Sequence, residues 1–150
     1  KLLLNFPTVH MVFAGPDEGL GDQIRNKIKK ESLENRIHLI GYIESYDKVG
    51  AYTGAEFLVV PSRREAMSIV ALEAGACGTP VILSTECGFD EVKEVGCKVV
   101  QPNAEELYNG MNSMLSSSKS LKALGNDLRN LILDRYTWKK TAEQYLKFLP

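Results

Sequence analysis

The chain is poor in the residues that mark specialised, non-globular proteins. It has 3 cysteines and 1 tryptophan among 150 residues. Cys77, Cys87 and Cys97 are odd in number, and their spacing fits neither a tetrahedral metal motif nor a small disulfide framework. They read as reduced thiols that pack as small hydrophobes. No charge of one sign dominates: 18 Lys and Arg stand against 19 Asp and Glu, a net charge of −1. Proteins that grip nucleic acid by its phosphates usually carry a basic excess, so nucleic acid is not an expected partner. No apolar run approaches the roughly 18 residues that span a bilayer, so no integral membrane segment is expected. The Gly-x-Gly-x-x-Gly fingerprint is missing as well. Gly15-Pro16-Asp17-Glu18-Gly19 does not have its spacing, which argues against a plain dinucleotide oxidoreductase.

What remains is ordinary globular composition, 44% hydrophobic and 25% charged, in a length that suits one domain with its own core. The chain opens at Lys1 inside what reads as an ongoing element, so residues 1–150 are expected to be one domain of a longer parent. His10 and His38 sit beside apolar runs and read as structural histidines. Short runs rich in Val and Ile recur at 9–14, 37–40, 57–60, 80–83 and 98–100, each ending in Gly, Pro or Ser. Continuous apolar runs of this kind belong to strands buried on both faces of a parallel sheet. Helix-length segments at about 21–32, 45–53, 68–78, 89–95, 104–116, 119–134 and 138–148 lie between and after them. Ser116-Ser117-Ser118 reads as a break between two of these. The alternation predicts an α/β fold, a Rossmann-like, doubly wound parallel sheet. Ligands of such sheets bind beyond the carboxyl ends of the strands.

The most informative stretch runs from Pro61 to Ile82. A strand ends at Pro61, a polar loop follows, and Ser68 suits the N-cap of the next helix. The amides of Ile69, Val70 and Ala71 would then be free to hold an anion, a phosphate above all, or simply face water. Gly75 and Gly78 weaken that helix, which points to a close approach by the sheet or a ligand. Glu73 falls on or beside the apolar stripe and needs hydrogen-bond donors. A sugar or ribose diol would supply two; a backbone amide or basic side chain is the plainer partner. Glu65 lies in the loop ahead of the helix, where a glutamate either meets solvent or faces a group beyond the bound anion.

Glu65 and Glu73, with seven residues between them, resemble the Glu-x7-Glu motif of retaining GT-B glycosyltransferases of the group 1, or family 4, type. The surrounding Leu58-Val59-Val60-Pro61-Ser62, Glu73-Ala74 and Cys77-Gly78-Thr79-Pro80-Val81-Ile82 match in order and spacing. So do Phe13-Ala14-Gly15-Pro16, Leu39-Ile40-Gly41, Cys87-Gly88-Phe89-Asp90-Glu91-Val92 and Tyr136-Thr137-Trp138, which extends the resemblance over nearly the whole chain.

The resemblance implies two Rossmann-like domains facing across a cleft, with this chain as the C-terminal, donor-binding one. The partners it implies are a nucleoside-diphosphate sugar and an N-terminal acceptor domain outside this chain. Glu73 would bond the ribose hydroxyls, and Glu65, the catalytic candidate, would contact the transferred sugar. Ala66 and Met67 would line the donor loop, and the amides around Ser68, Ile69 and Val70 would hold the diphosphate. Gly15 would let the backbone approach the donor, and Gly41, Tyr42 and Ile43 would border the base. The implied reaction is glycosyl transfer with retention, of hexosyltransferase type, in polysaccharide biosynthesis. It calls on no cofactor and no metal, and no Asp-x-Asp pair is present. A cytoplasmic location, peripheral to a membrane in the parent, is also implied, although no basic amphipathic helix stands out.

Three departures accompany the match. Ala66-Met67-Ser68 stands where many members have Gly-Phe-Gly, which bears on positive backbone angles, and Cys87-Gly88 stands for a glycine pair. The family's first strand and its Arg and Lys diphosphate contacts would precede Lys1. Arg63 and Arg64 read as surface residues rather than substitutes. Isolated, the chain is expected to transfer no sugar. A non-catalytic module built on the same fold is the competing reading. An epimerase or a phosphorylase of the same architecture is a weaker one, since no loop lysine suits pyridoxal phosphate.

Overall fold

The computed structural model describes residues 1–117 and 119–148. Ser118 of the expected break therefore lies outside the described residues. The chain divides into two compact units, Lys1–Lys48 and Val49–Pro150.

The first unit holds a short helix α1 (Leu2–Asn5), strand β1 (Met11–Ala14), helix α2 (Gly21–Lys30) and strand β2 (Ile37–Gly41). β1 and β2 pair in parallel, with a register shift between Phe13 and Ala14. α2 buries Ile28 and leaves its lysines outside, the amphipathic pattern its sequence carries. Arg36 ties the segment ahead of β1 to β2, its guanidinium donating to the carbonyls of Val9 (2.9 Å) and Phe6 (2.9 Å). His10 Nδ1 and His38 Nε2 lie 2.9 Å apart and share a hydrogen bond, with their rings stacked at a centroid distance of 5.2 Å. The expectation of full burial fails here. Val12, Phe13 and Ile40 are exposed.

Helix α3 (Ser45–Gly54) straddles the boundary at Lys48. The second unit continues with β3 (Leu58–Val60), α4 (Ile69–Ala76), β4 (Val81–Ser84), a 3-10 helix at Asp90–Val95, β5 (Lys98–Val100), α5 (Ala104–Leu115), α6 (Leu121–Arg135) and α7 (Trp138–Leu146). Its three strands are parallel in the order β3-β4-β5. β4, paired on both edges, is buried along its whole length, as a continuous apolar run requires.

α4 ends in a Schellman motif: the Gly78 amide donates to Gly75 O (2.9 Å) and the Thr79 amide to Ala74 O (2.9 Å), with Gly78 at φ +83°. The glycines of this region serve helix packing. A Cβ on Gly75 would stand 2.3 Å from Ile132 Cδ1, and one on Gly125 1.8 Å from Gly78 O. The close approach expected of α4 is therefore made by α6. Cys87 and Cys97 are buried free thiols, while Cys77 is half-buried. Burial is the main cause that raises the Cys97 thiol above its ordinary pKa.

The Tyr136-Thr137-Trp138 triplet divides its work. Tyr136 meets Phe89 edge-on, with centroids 4.9 Å apart, and Thr137 Oγ1 caps α7 by accepting the Lys140 amide. Trp138 is 90% exposed. α7 buries none of its residues and sets Trp138, Tyr145 and Leu146 among Lys139, Lys140 and Glu143, an amphipathic pattern not expected from the sequence. No helix among the described residues is long and apolar enough to cross a membrane.

Candidate functional site

The carboxyl ends of the strands carry the candidates, each within its own unit. In the first unit Gly15 follows β1 and Gly41 ends β2, at φ +148° and +72°. The Gly15 amide donates to Gly41 O at 2.8 Å, so these two positions meet. Tyr42 is exposed and Ile43 half-buried. The loop from Gly15 to Gly21 is not an open anion cradle. Asp17 Oδ1 accepts the amides of Gly19 (3.0 Å) and Gly21 (2.9 Å), which fills the N-terminus of α2 with the chain's own carboxylate. Those two amides, then the Arg25 guanidinium, hold the Asp17 carboxyl below its ordinary pKa.

In the second unit the loop from Pro61 to Ser68 rests on the segment after β4. The Glu65 amide donates to Glu86 O (2.9 Å) and the Ser68 amide to Cys87 O (3.0 Å). The Ser84 hydroxyl donates to Ser62 O, and the Cys87 thiol to Val60 O at 3.4 Å. This explains why a side chain is tolerated at 87, where it becomes a buried tether, while 88 is glycine. Gly88 has φ +61°, and a Cβ there would lie 2.0 Å from Ala66 O. Ala66, Met67 and Ser68 do not occupy positive φ, so the expected backbone consequence of losing Gly-Phe-Gly is not found. Ala66 is exposed, and Met67 packs against the core.

Ser68 is the N-cap of α4, as the sequence suggests, with an extended backbone at φ −78° and ψ 101°. Its side chain does not cap. Ser68 is 0% exposed, and its Oγ is the one buried side-chain oxygen or nitrogen among the described residues without a hydrogen-bond partner. Its amide is already used by Cys87, which removes Ser68 from the expected set of anion-binding amides. Those of Ile69, Val70 and Ala71 remain, since a first helical turn has no intrahelical acceptor. α5 and α7, by contrast, are capped by Asn103 and Thr137. Arg63, Arg64 and Glu65 are exposed in the same loop.

Glu73 is half-buried in α4. Its Oε2 accepts from the Tyr52 hydroxyl at 3.0 Å. Burial first, and then this bond to Glu73, raise the Tyr52 phenol well above the ordinary tyrosine pKa, so it stays a donor. Sequence reasoning missed Tyr52, since no local pattern links residues 21 positions apart. An open groove of about 470 Å³ elsewhere in the unit is lined by neither motif glutamate. Of its charges, Lys119 pairs with Asp127 (2.9 Å), Arg135 with Glu94 (2.8 Å), and Asp134 lies 4.0 Å from Lys140.

The parallel α/β architecture is the one the resemblance implies, and the family comparison agrees with it. Residues 1–131 match the model of the glycosyl transferases group 1. The chain belongs to that family. An uncharacterized glycosyltransferase of Methanocaldococcus jannaschii is 27% identical over 137 residues, covering 89% of this chain and 35% of its own length. The chain thus spans about a third of that curated relative. Among solved structures, the C-terminal domain of a group 1 glycosyl transferase, LpcC of Francisella tularensis, superposes with a TM-score of 0.78 at 21% identity. That match covers 91% of this chain and 74% of the other. Anabaena HepE in complex with UDP superposes with a TM-score of 0.80 at 21% identity, covering 94% of this chain and 40% of the other. The fold is that of a GT-B Rossmann-like domain.

Proposed function

We propose that the chain is the C-terminal, donor-binding domain of a retaining glycosyltransferase that uses a nucleoside-diphosphate sugar. The observation that carries this reading is the N-terminus of α4. It is open while that of α2 is filled by Asp17, and it holds a buried hydroxyl with no partner. Three amides and the helix dipole supply the donors that a diphosphate accepts. Complexes of the structural relative HepE with UDP support a nucleotide ligand.

In this reading Ile69 and Val70 give their amides to the diphosphate, and Ser68 gives its hydroxyl after a small side-chain turn. Glu73 accepts from the ribose diol, and Glu65, in the exposed loop, accepts from the hexose. As the bond to the sugar breaks, negative charge builds on the departing diphosphate. Each well-aimed donor there lowers the barrier by about 2.7–4 kcal/mol. No metal or cofactor enters the reading. The acceptor comes from a further domain of the parent, which is cytoplasmic and peripheral to a membrane, and the chain alone transfers no sugar.

Calorimetric titration with UDP, GDP and ADP tests the reading. Saturable binding of one of them, weakened at least about tenfold by Glu73→Ala, is expected. Absence of heat with all three points to the non-catalytic module instead.

A further inference from the structure

Glu73 is not simply a carboxylate that happens to face a ligand; the fold holds it. A glutamate side chain has several free torsions, and a ligand that must freeze them binds more weakly. Tyr52, on α3, supplies the restraint from outside α4, its hydroxyl donating to Glu73 Oε2 at 3.0 Å. Tyr52 is itself anchored. Its backbone carbonyl accepts from Thr79 Oγ1 at 2.6 Å, and Thr79 is only 2% exposed. Thr79 in turn closes the Schellman motif of α4 through its amide to Ala74 O, one residue from Glu73. The bonds form a closed circuit from the end of α4, across α3, and back to the middle of α4.

We propose that Tyr52 is a positioning residue that presets the Glu73 carboxylate for a ribose diol, so that selection of ribonucleotides over deoxy analogues depends on the Tyr52 hydroxyl. This rests on the reading of Glu73 as the ribose contact. The phenol has one proton to give and gives it to the carboxylate, which fixes the rotamer and leaves the ring's apolar face against the core. The hydroxyl acts through Glu73 and makes no contact with the nucleotide.

The test is calorimetry of the full chain with whichever of UDP, GDP and ADP binds, alongside its 2′,3′-dideoxy analogue. The wild type is expected to favour the ribose form by at least about tenfold. Tyr52→Phe is expected to shrink that preference about threefold or more while leaving dideoxy affinity unchanged. Thr79→Val, which releases the Tyr52 carbonyl but keeps the phenol, should shrink it less, and it carries the test if Tyr52→Phe does not fold. A loss of affinity equal for both ligands marks a merely structural strap and overturns the inference. So does an unchanged preference in a folded variant. A wild type indifferent to the ribose hydroxyls, or one that binds none of the three, overturns the reading of Glu73 itself, a result distinct from these.

Discussion

Gly88 and Ala66 approach so closely that a methyl group at 88 would stand 2.0 Å from the Ala66 carbonyl oxygen. The contact is backbone against backbone position, so no rotamer change relieves it, and φ at 88 is +61°. Gly88→Ala therefore distorts the loop that carries Glu65. Loss of at least about 2 kcal/mol of stability is expected, combining the left-handed backbone with the clash. Urea unfolding of the variant checks this, and a wild-type midpoint would contradict it.

Two glycines at the α4–α6 contact separate soft from hard packing. At Gly75 the atoms in the way are the ends of Ile132 and Leu128, which can turn aside. At Gly125 the obstacle is the Gly78 carbonyl, 1.8 Å from the added Cβ. Gly125→Ala should cost more than about 3 kcal/mol, and Gly75→Ala about 1–3 kcal/mol. The order of the two in chemical denaturation is the measurement; the reverse order would refute the packing account.

Ser68→Ala is expected to separate stability from binding. Its hydroxyl is buried without a partner, so its removal raises the ligand-free stability by about 1 kcal/mol. If the hydroxyl turns to a diphosphate oxygen, the same variant binds nucleoside diphosphate less tightly. A thermal melt and a titration on one preparation give both signs.

Asp17 makes stability depend on acid. Its carboxyl is held below the ordinary value of 3.8, chiefly by the Gly21 and Gly19 amides. A depressed folded pKa stabilises fully above the unfolded value and loses that contribution as pH falls through the folded one. The melting temperatures of wild type and Asp17→Asn should therefore differ at neutral pH and converge in strong acid. A gap constant with pH would remove Asp17 from the account.

Much of this was legible in the sequence. The run Val81-Ile82-Leu83 predicts a strand covered on both faces, and β4 is one. A helix is expected over about 68–78, and α4 closes there in the Schellman motif at Gly78. The same logic misled at β1, because a Val-Phe-Ala run states a preference for burial but does not supply the neighbouring elements that provide it. Ser68 is an N-cap by residue type, yet its side chain makes no cap hydrogen bond, and its amide bonds the Cys87 carbonyl of the adjoining loop.

Local chemistry, read along the chain, fixes which residues are candidates. Propensity, turn residues and the interval between Glu65 and Glu73 act over a few positions, so they survive without any knowledge of the fold. Partnerships do not. Tyr52 reaches Glu73, Cys87 reaches Val60, and Asp17 closes one helix start while another stays open. These depend on which segments packing brings side by side, and hydrogen bonds a few ångströms long leave no trace in sequence separation.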